Sequence, residues 1–258
     1  MNKIISNLEL NNELEKSKKY FERVEEEILP IKLDENINIE HYLKEKIFNF
    51  YYGKESWDIA NNIAKKERDE KKLSDTFTYG ESTYRSLSYI LEYIKKENNL
   101  IDGNFYDLGS GAGKALISAS LIFPFKKCIG IELLDSLFLL SENVKQKYNE
   151  NIEKQINDNK EIFQNYNNIP IIENIKDDIL NAKIINPSVV LVCSTMFDEN
   201  YMNILGEKLE KESIIGTIII TLTEKFNKFD INKWELKKPF KVKFSWGFPS
   251  IYIYKKIK

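Results

Sequence analysis

Asn104-Phe-Tyr-Asp-Leu-Gly-Ser-Gly-Ala-Gly-Lys114 reads as a strand, a tight turn and the start of a helix. Phe105, Tyr106 and Leu108 make a short buried strand that includes Asp107. Gly109, Gly111 and Gly113 then let the backbone turn before a helix that begins near Ala112. Such a junction brings backbone N–H groups and a helix N-terminus up to a ligand. A glycine turn can also serve only to reverse the chain. A second apolar strand, Cys128-Ile-Gly-Ile-Glu132, adds weight because it closes on a carboxylate 25 residues after Asp107. An acid there can accept hydrogen bonds from both hydroxyls of a ribose.

Two ligand classes use this arrangement. A dinucleotide sets its pyrophosphate on the helix N-terminus, where negative charge is favoured. S-adenosylmethionine (SAM) has no phosphate and carries a cationic sulfur, so an acid just before the glycine turn suits it better. The wording Asp107-Leu-Gly-Ser-Gly-Ala-Gly113 resembles the first motif of the seven-stranded SAM-dependent methyltransferases.

Composition narrows the setting. A chain of 258 residues fits one large domain or a domain with a substantial extension. Two cysteines, Cys128 and Cys193, both fall in expected strands and read as reduced, buried thiols of an intracellular, nuclear or cytoplasmic protein. The N-terminus shows no apolar run of a secretory signal, and no stretch reaches the ~18 apolar residues of a membrane span. Net charge is −2 with 30% charged residues, so both signs are interspersed. Without a basic tail, nucleic-acid binding by this chain alone is not expected. Oligomeric state is not legible.

Along the chain, residues 5–70 read as helical. Leu10, Leu14, Phe21, Val24 and Ile28 form one apolar stripe that Pro30 ends. Ile39, Tyr42, Leu43, Ile47 and Phe48 suggest a second helix, and Trp57, Ala60, Ile63 and Ala64 a third. Residues 1–75 are therefore expected to be a helical cap, or a lid at a substrate entrance, on a main domain of residues 76–258. Thr78-Tyr-Gly-Glu-Ser82 precedes an amphipathic helix with Tyr84, Leu87, Ile90, Leu91 and Ile94 inward, capped by Ser82 or Thr83.

From Phe105 onward strands alternate with helices: strands 105–108 and 127–131, a helix from about 135, and a strand Ile171–Ile175 leading to Asp177-Asp-Ile-Leu180. The polar stretch 149–168 either prolongs that helix or is a surface insertion. Val189–Val192 is apolar throughout, as a strand covered on both faces must be. Asp198 starts a helix and Gly216–Thr223 is the fifth strand. Phe240, Val242, Phe244 and Trp246 alternate, followed by Ile251 and Ile253, which predicts an antiparallel hairpin. The fold class is thus α/β: a seven-stranded, Rossmann-like, mostly parallel sheet with a C-terminal antiparallel hairpin and an N-terminal helical cap.

Four motifs in order carry a narrower resemblance. Tyr79-Gly-Glu81 precedes the glycine motif, Val192-Cys-Ser-Thr-Met-Phe197 follows the fourth strand, and Ser245-Trp-Gly-Phe-Pro-Ser-Ile-Tyr252 closes the chain. Together they resemble the telomeric-silencing (Dot-type) histone lysine methyltransferases over about residues 78–254. The resemblance implies SAM as cofactor and a protein substrate, a histone or another, that offers a lysine. It implies that Tyr79 and Glu81 form a loop over the methionine end of SAM, with Asp107, Gly109 and Gly111 beneath. Glu132 would hold the ribose, Asp178 the adenine amino group, and Ile179 the ring face. Phe197, Trp246 and Tyr252 would line a narrow lysine channel beside Tyr79, although ordinary core packing also accounts for such aromatics. The chain departs from the pattern at Cys193 and Ser194, where an Asn ends the fourth strand in the best-known members. Thr195 replaces a channel phenylalanine, and Lys114 stands in the cofactor-binding turn where a neutral polar residue is usual. The family's basic nucleosome- or DNA-binding extension is missing.

Magnitudes agree with an amine acceptor. Neutralising a lysine of free pKa ~10.4 at pH 7 costs about 4.6 kcal/mol. Desolvation in an apolar channel lowers such a pKa by up to ~3–5 units, so no dedicated base is required. The one histidine, His41, reads as a surface or packing residue of the cap. The polar-Pro-Pro-aromatic motif of adenine amino-methylation is absent, as is a proline-presented cysteine for cytosine. No carboxylate cluster suggests a metal. A small-molecule N-methyltransferase on the same fold, or a SAM-binding module without catalysis, are the remaining alternatives.

Overall fold

Alternation along the strands decides the layering. The computed structural model describes residues 7–18, 31–53, 56–74, 79–98 and 103–258. Among the described residues eight strands form one sheet: β1 (Asn104–Leu108), β2 (Lys127–Glu132), β3 (Ile171–Lys176), β4 (Pro187–Val192), β5 (Ile218–Leu222), β6 (Trp234–Leu236), β7 (Phe240–Lys241) and β8 (Ser250–Lys256). Their order is β3-β2-β1-β4-β5-β8-β6, with β1 to β5 parallel and β8 antiparallel. Phe105, Cys128, Val189, Leu191, Ile218 and Ile220 feed one core. Their neighbours Tyr106, Ile129, Val190, Val192 and Ile219 feed a second core on the opposite face, as successive strand residues must.

Among the described residues seven helices complete the fold: α1 (Asn7–Lys18), α2 (Glu35–Tyr51), α3 (Ser56–Lys71), α4 (Tyr84–Asn98), α5 (Lys114–Ile122), α6 (Asp135–Asp158) and α7 (Glu199–Glu212). Side chains of α2, α4, α5 and α6 join the first core, and those of α7 the second. Thr83 caps α4, its hydroxyl accepting from the Ser86 amide at 3.1 Å, and Asp198 caps α7 through the Tyr201 amide at 2.7 Å. All five inward residues expected for α4 are buried. The polar stretch after residue 149 divides: α6 continues to Asp158, and the chain then leaves in a 3-10 turn at Lys160–Ile162.

Three expectations are corrected. In the first helix, Leu14 is 45% exposed and Ser17 is buried. Glu13 instead ties α1 to α2 through Tyr42 and Lys46; Phe21, Val24, Ile28, Pro30 and Thr78 lie outside the described residues. On α2 the inward face is turned toward His41, Lys44, Ile47 and Phe48, because polar partners await it. His41 is fully buried, with Nδ1 3.1 Å from the Tyr84 hydroxyl and Nε2 3.0 Å from the Glu92 carboxylate, so the surface alternative fails. In the tail, the expected strand 240–246 is reduced to the two residues of β7. The sequence reading missed β6, which shares the outer edge of β8 with β7. Lys237-Lys238-Pro239 interrupts that edge, where proline and lysine discourage pairing with another chain. Seven strand positions across the sheet are retained.

Helix α3 meets α6 through a charged joint. Glu67 of α3 accepts from the Asp135 amide at 2.8 Å, the Ser136 amide at 2.7 Å and Lys71 Nζ at 2.6 Å, closing the N-terminus of α6. Burial raises its carboxyl pKa, but Lys71 and the Ser136 and Asp135 donors outweigh this and lower it to about 2 from an ordinary 4.5. The unfolded chain therefore takes up this proton first. The linked stability, on the order of 3 kcal/mol, is complete above pH 4.5 and is lost as pH falls toward 2. Glu67→Gln is expected to lower the urea midpoint at pH 7 but not at pH 2; equal loss at both would show that this carboxylate does not drive the joint.

Candidate SAM cleft

The carboxyl ends of β1 and β2 set the site. After β1 the amides of Gly109 and Ser110 donate to the Ile131 carbonyl at 2.9 and 3.0 Å, which holds the turn against β2. Glu132 ends β2, and both its oxygens are engaged: Oε2 accepts from the Gly111 amide at 2.8 Å and Oε1 from the Leu134 amide at 2.7 Å. A buried carboxylate held by two backbone donors is rigid and keeps lone pairs for a ligand. Burial nevertheless raises the Glu132 pKa, against those amides. Asp107, buried behind the turn, has no hydrogen-bond donor among the described residues; burial and the nearby Glu132 push its carboxyl well above the usual range.

A cleft opens over this floor. Tyr79 and Gly80 form one wall, Gly109, Gly111 and Glu132 the base, and Asp178, Ile179, Cys193, Phe197 and Tyr201 the far side. Asp178 Oδ1 accepts from the Leu180 amide at 2.8 Å, which fixes the acid beside Ile179. Phe197, just before the Asp198 cap, and Tyr201 in the first turn of α7 meet edge to face with centroids 4.8 Å apart.

The expected site residues divide into three groups. Tyr79, Gly109, Gly111, Glu132, Asp178, Ile179, Cys193 and Phe197 line the cleft. Glu81 and Lys114 stand behind its wall as an ion pair, with Nζ 2.5 Å from Oε2. Asp107, Ser194, Trp246 and Tyr252 are not among the lining residues. Ser194 is fully buried, and its hydroxyl donates to the Leu222 and Glu224 carbonyls at 2.8 and 3.2 Å, so it stitches β4 to β5. Trp246 is 37% exposed, and its indole N–H donates to the Glu81 carbonyl at 3.2 Å. Tyr252 packs at the margin of the second core. Leu133, Leu134, Leu137 and Tyr201 also line the cleft. The sequence signals for them were adjacency to Glu132 and the i, i+4 spacing from Phe197.

Burial raises the Cys193 pKa to about 11. At pH 8 only about one such thiol in a thousand is ionised. Alkylation of Cys193 by iodoacetamide at pH 8 is expected to be at least about 100-fold slower than that of free cysteine; comparable rates would place the thiol in an open, polar setting. Among the described residues, no cluster of three His, Cys, Asp or Glu side chains is placed to hold a metal ion.

Glu132, which ends the second strand in the lining of the cleft and is held by two backbone amides, fits the ribose of a nucleoside. With the strand order, this cleft defines a SAM-dependent methyltransferase domain of the Rossmann-like, seven-position class. A match to the family described as Histone methylation protein DOT1 spans residues 59–244, and the chain belongs to that family. It is 36% identical over 81 residues to the Drosophila melanogaster histone-lysine N-methyltransferase, H3 lysine-79 specific. That stretch is 30% of this chain but 4% of the fly protein. Similar solved structures include magnesium protoporphyrin IX methyltransferase (ChlM) from Synechocystis PCC 6803 with bound SAM, with TM-score 0.48 and 11% identity, covering 83% of this chain and 97% of that one. Another is an RNA methyltransferase from Salinibacter ruber in complex with S-adenosyl-L-homocysteine, with TM-score 0.45 and 16% identity, covering 66% and 92%.

Proposed function

We propose that this domain transfers a methyl group to a lysine side chain of a protein, a histone or another, inside the cell. Membership of the DOT1 family is the observation that carries this reading. When bound, SAM supplies a methyl group activated by a cationic sulfur. Glu132 would orient the ribose, Asp178 the adenine amino group and Ile179 the ring face, with Tyr79 over the methionine end and Glu81 holding it from behind. Phe197 and Tyr201 give the far wall an apolar lining. Burial raises the pKa of both Tyr79 and Tyr201, so neither phenol ionises at neutral pH, and the Cys193 thiol is held neutral as well. An incoming ammonium would therefore lose its proton through desolvation rather than to one of these groups. Residues 1–75 would act as the cap of a main domain formed by residues 76–258.

The test is tritiated SAM with histone octamers, nucleosomes and whole-cell extract. Methyl-lysine recovered from labelled protein supports the reading; label confined to small solutes, or none at all with bound SAM, rejects it. Trp246→Ala is expected to lower turnover several-fold more than SAM affinity if the indole borders the acceptor path. Equal loss of both would make it a packing residue.

A further inference from the structure

Lys114 is an unusual first residue for a helix. It opens α5 directly after the glycine turn, where the helix dipole disfavours a cation. Its side chain is only 13% exposed, and its ammonium lies 5.3 Å from the centre of the Tyr52 ring. Glu81, also buried, collects the loop's contacts: Oε2 takes Lys114 at 2.5 Å, Oε1 takes the Tyr79 hydroxyl, and the backbone carbonyl takes the Trp246 indole at 3.2 Å. Among the described residues, Lys114 is the only ammonium hydrogen-bonded to any of Glu81, Asp107 and Glu132.

We infer that Lys114 is a positioning residue: through Glu81 it latches the Tyr79–Glu81 loop down, so that the Tyr79 ring forms one wall of the SAM cleft. The latch runs from the N-terminus of α5 to a loop 33 residues earlier in the chain. The Tyr79 hydroxyl and the Lys114 ammonium share the Glu81 carboxylate, so the ring's place depends on where Lys114 holds that carboxylate. Lys114 itself does not line the cleft. Its effect on SAM is indirect, and the inference stands whatever the methyl acceptor is.

Lys114→Met keeps the aliphatic stem and removes the charge. Amide hydrogen exchange at residues 79–82 of the SAM-free protein should quicken about tenfold. SAM affinity in calorimetry should fall by about the same factor, while exchange in β1, β2 and β5 stays unchanged. Lys114→Arg should restore both, and Glu81→Gln should reproduce the local loosening. Unchanged loop exchange in Lys114→Met would overturn the latch. So would faster exchange spread through α5 and the sheet, which would make Lys114 a folding residue, or failure of arginine to restore the loop.

Discussion

Gly111→Ala is expected to weaken SAM binding by at least about 100-fold, a loss near 2.7 kcal/mol. Two effects add. Gly111 has φ +53°, a left-handed conformation that costs a residue with a Cβ roughly 1–2 kcal/mol. An added Cβ would also lie 2.5 Å from Cε2 and 3.3 Å from Cδ2 of the Tyr79 ring, so either the ring or the turn must move. Moving the ring opens the cleft wall; moving the turn breaks the 2.8 Å bond from the Gly111 amide to Glu132. Gly109→Ala is the control. Gly109 is also left-handed, at φ +84°, but a Cβ there meets nothing within 4 Å. It should cost affinity only about tenfold, the backbone part alone. Equal losses in calorimetry would mean that the Tyr79 contact contributes nothing.

Glu132→Ala is expected to lower both stability and affinity. It strands the buried Gly111 and Leu134 amides, each at about 1–3 kcal/mol, so chemical denaturation should show a loss of roughly 2–6 kcal/mol. SAM affinity should fall by about 100-fold or more, because the same carboxylate faces the cleft and sets the turn. Glu132→Gln keeps one acceptor oxygen and should recover part of the stability while leaving affinity low. Unchanged SAM affinity in the alanine variant would remove Glu132 from the ligand site. Acid has its own signature. Burial raises the Glu132 pKa, so SAM affinity should begin to fall on acidification above the ordinary carboxylate range, as the bound form loses its acceptor charge.

The two ends of the cleft differed in how openly they could be read. Asp107, the glycine turn and Glu132 are each the end of a short apolar run, so period and punctuation place them without knowledge of any other strand. Asp178 and Ile179 follow β3 in the same way. Trp246 and Ser194 could not be placed like this. Trp246 lies in an alternating run that reads as a strand, but Pro239 and the turn at Gly247 keep most of that run off the ladder. Ser194 stands between two cleft-side candidates, yet its hydroxyl is claimed by the carbonyls of Leu222 and Glu224, about thirty residues later. His41 was hidden for a related reason: its partners Tyr84 and Glu92 belong to another helix.

By itself the sequence determined the order of elements from α4 to β5, the parallel part of the α/β sheet and the acid-flanked glycine turn, because these follow from local spacing and backbone sterics. Only the tertiary structure decided that Glu81 faces Lys114, that Tyr79 closes against Gly111, and that Ser194 turns away from the cleft. Those are pairings between segments far apart in the chain. Their geometry is fixed by which buried polar groups find partners once the sheet has formed, and local periodicity carries no record of that choice.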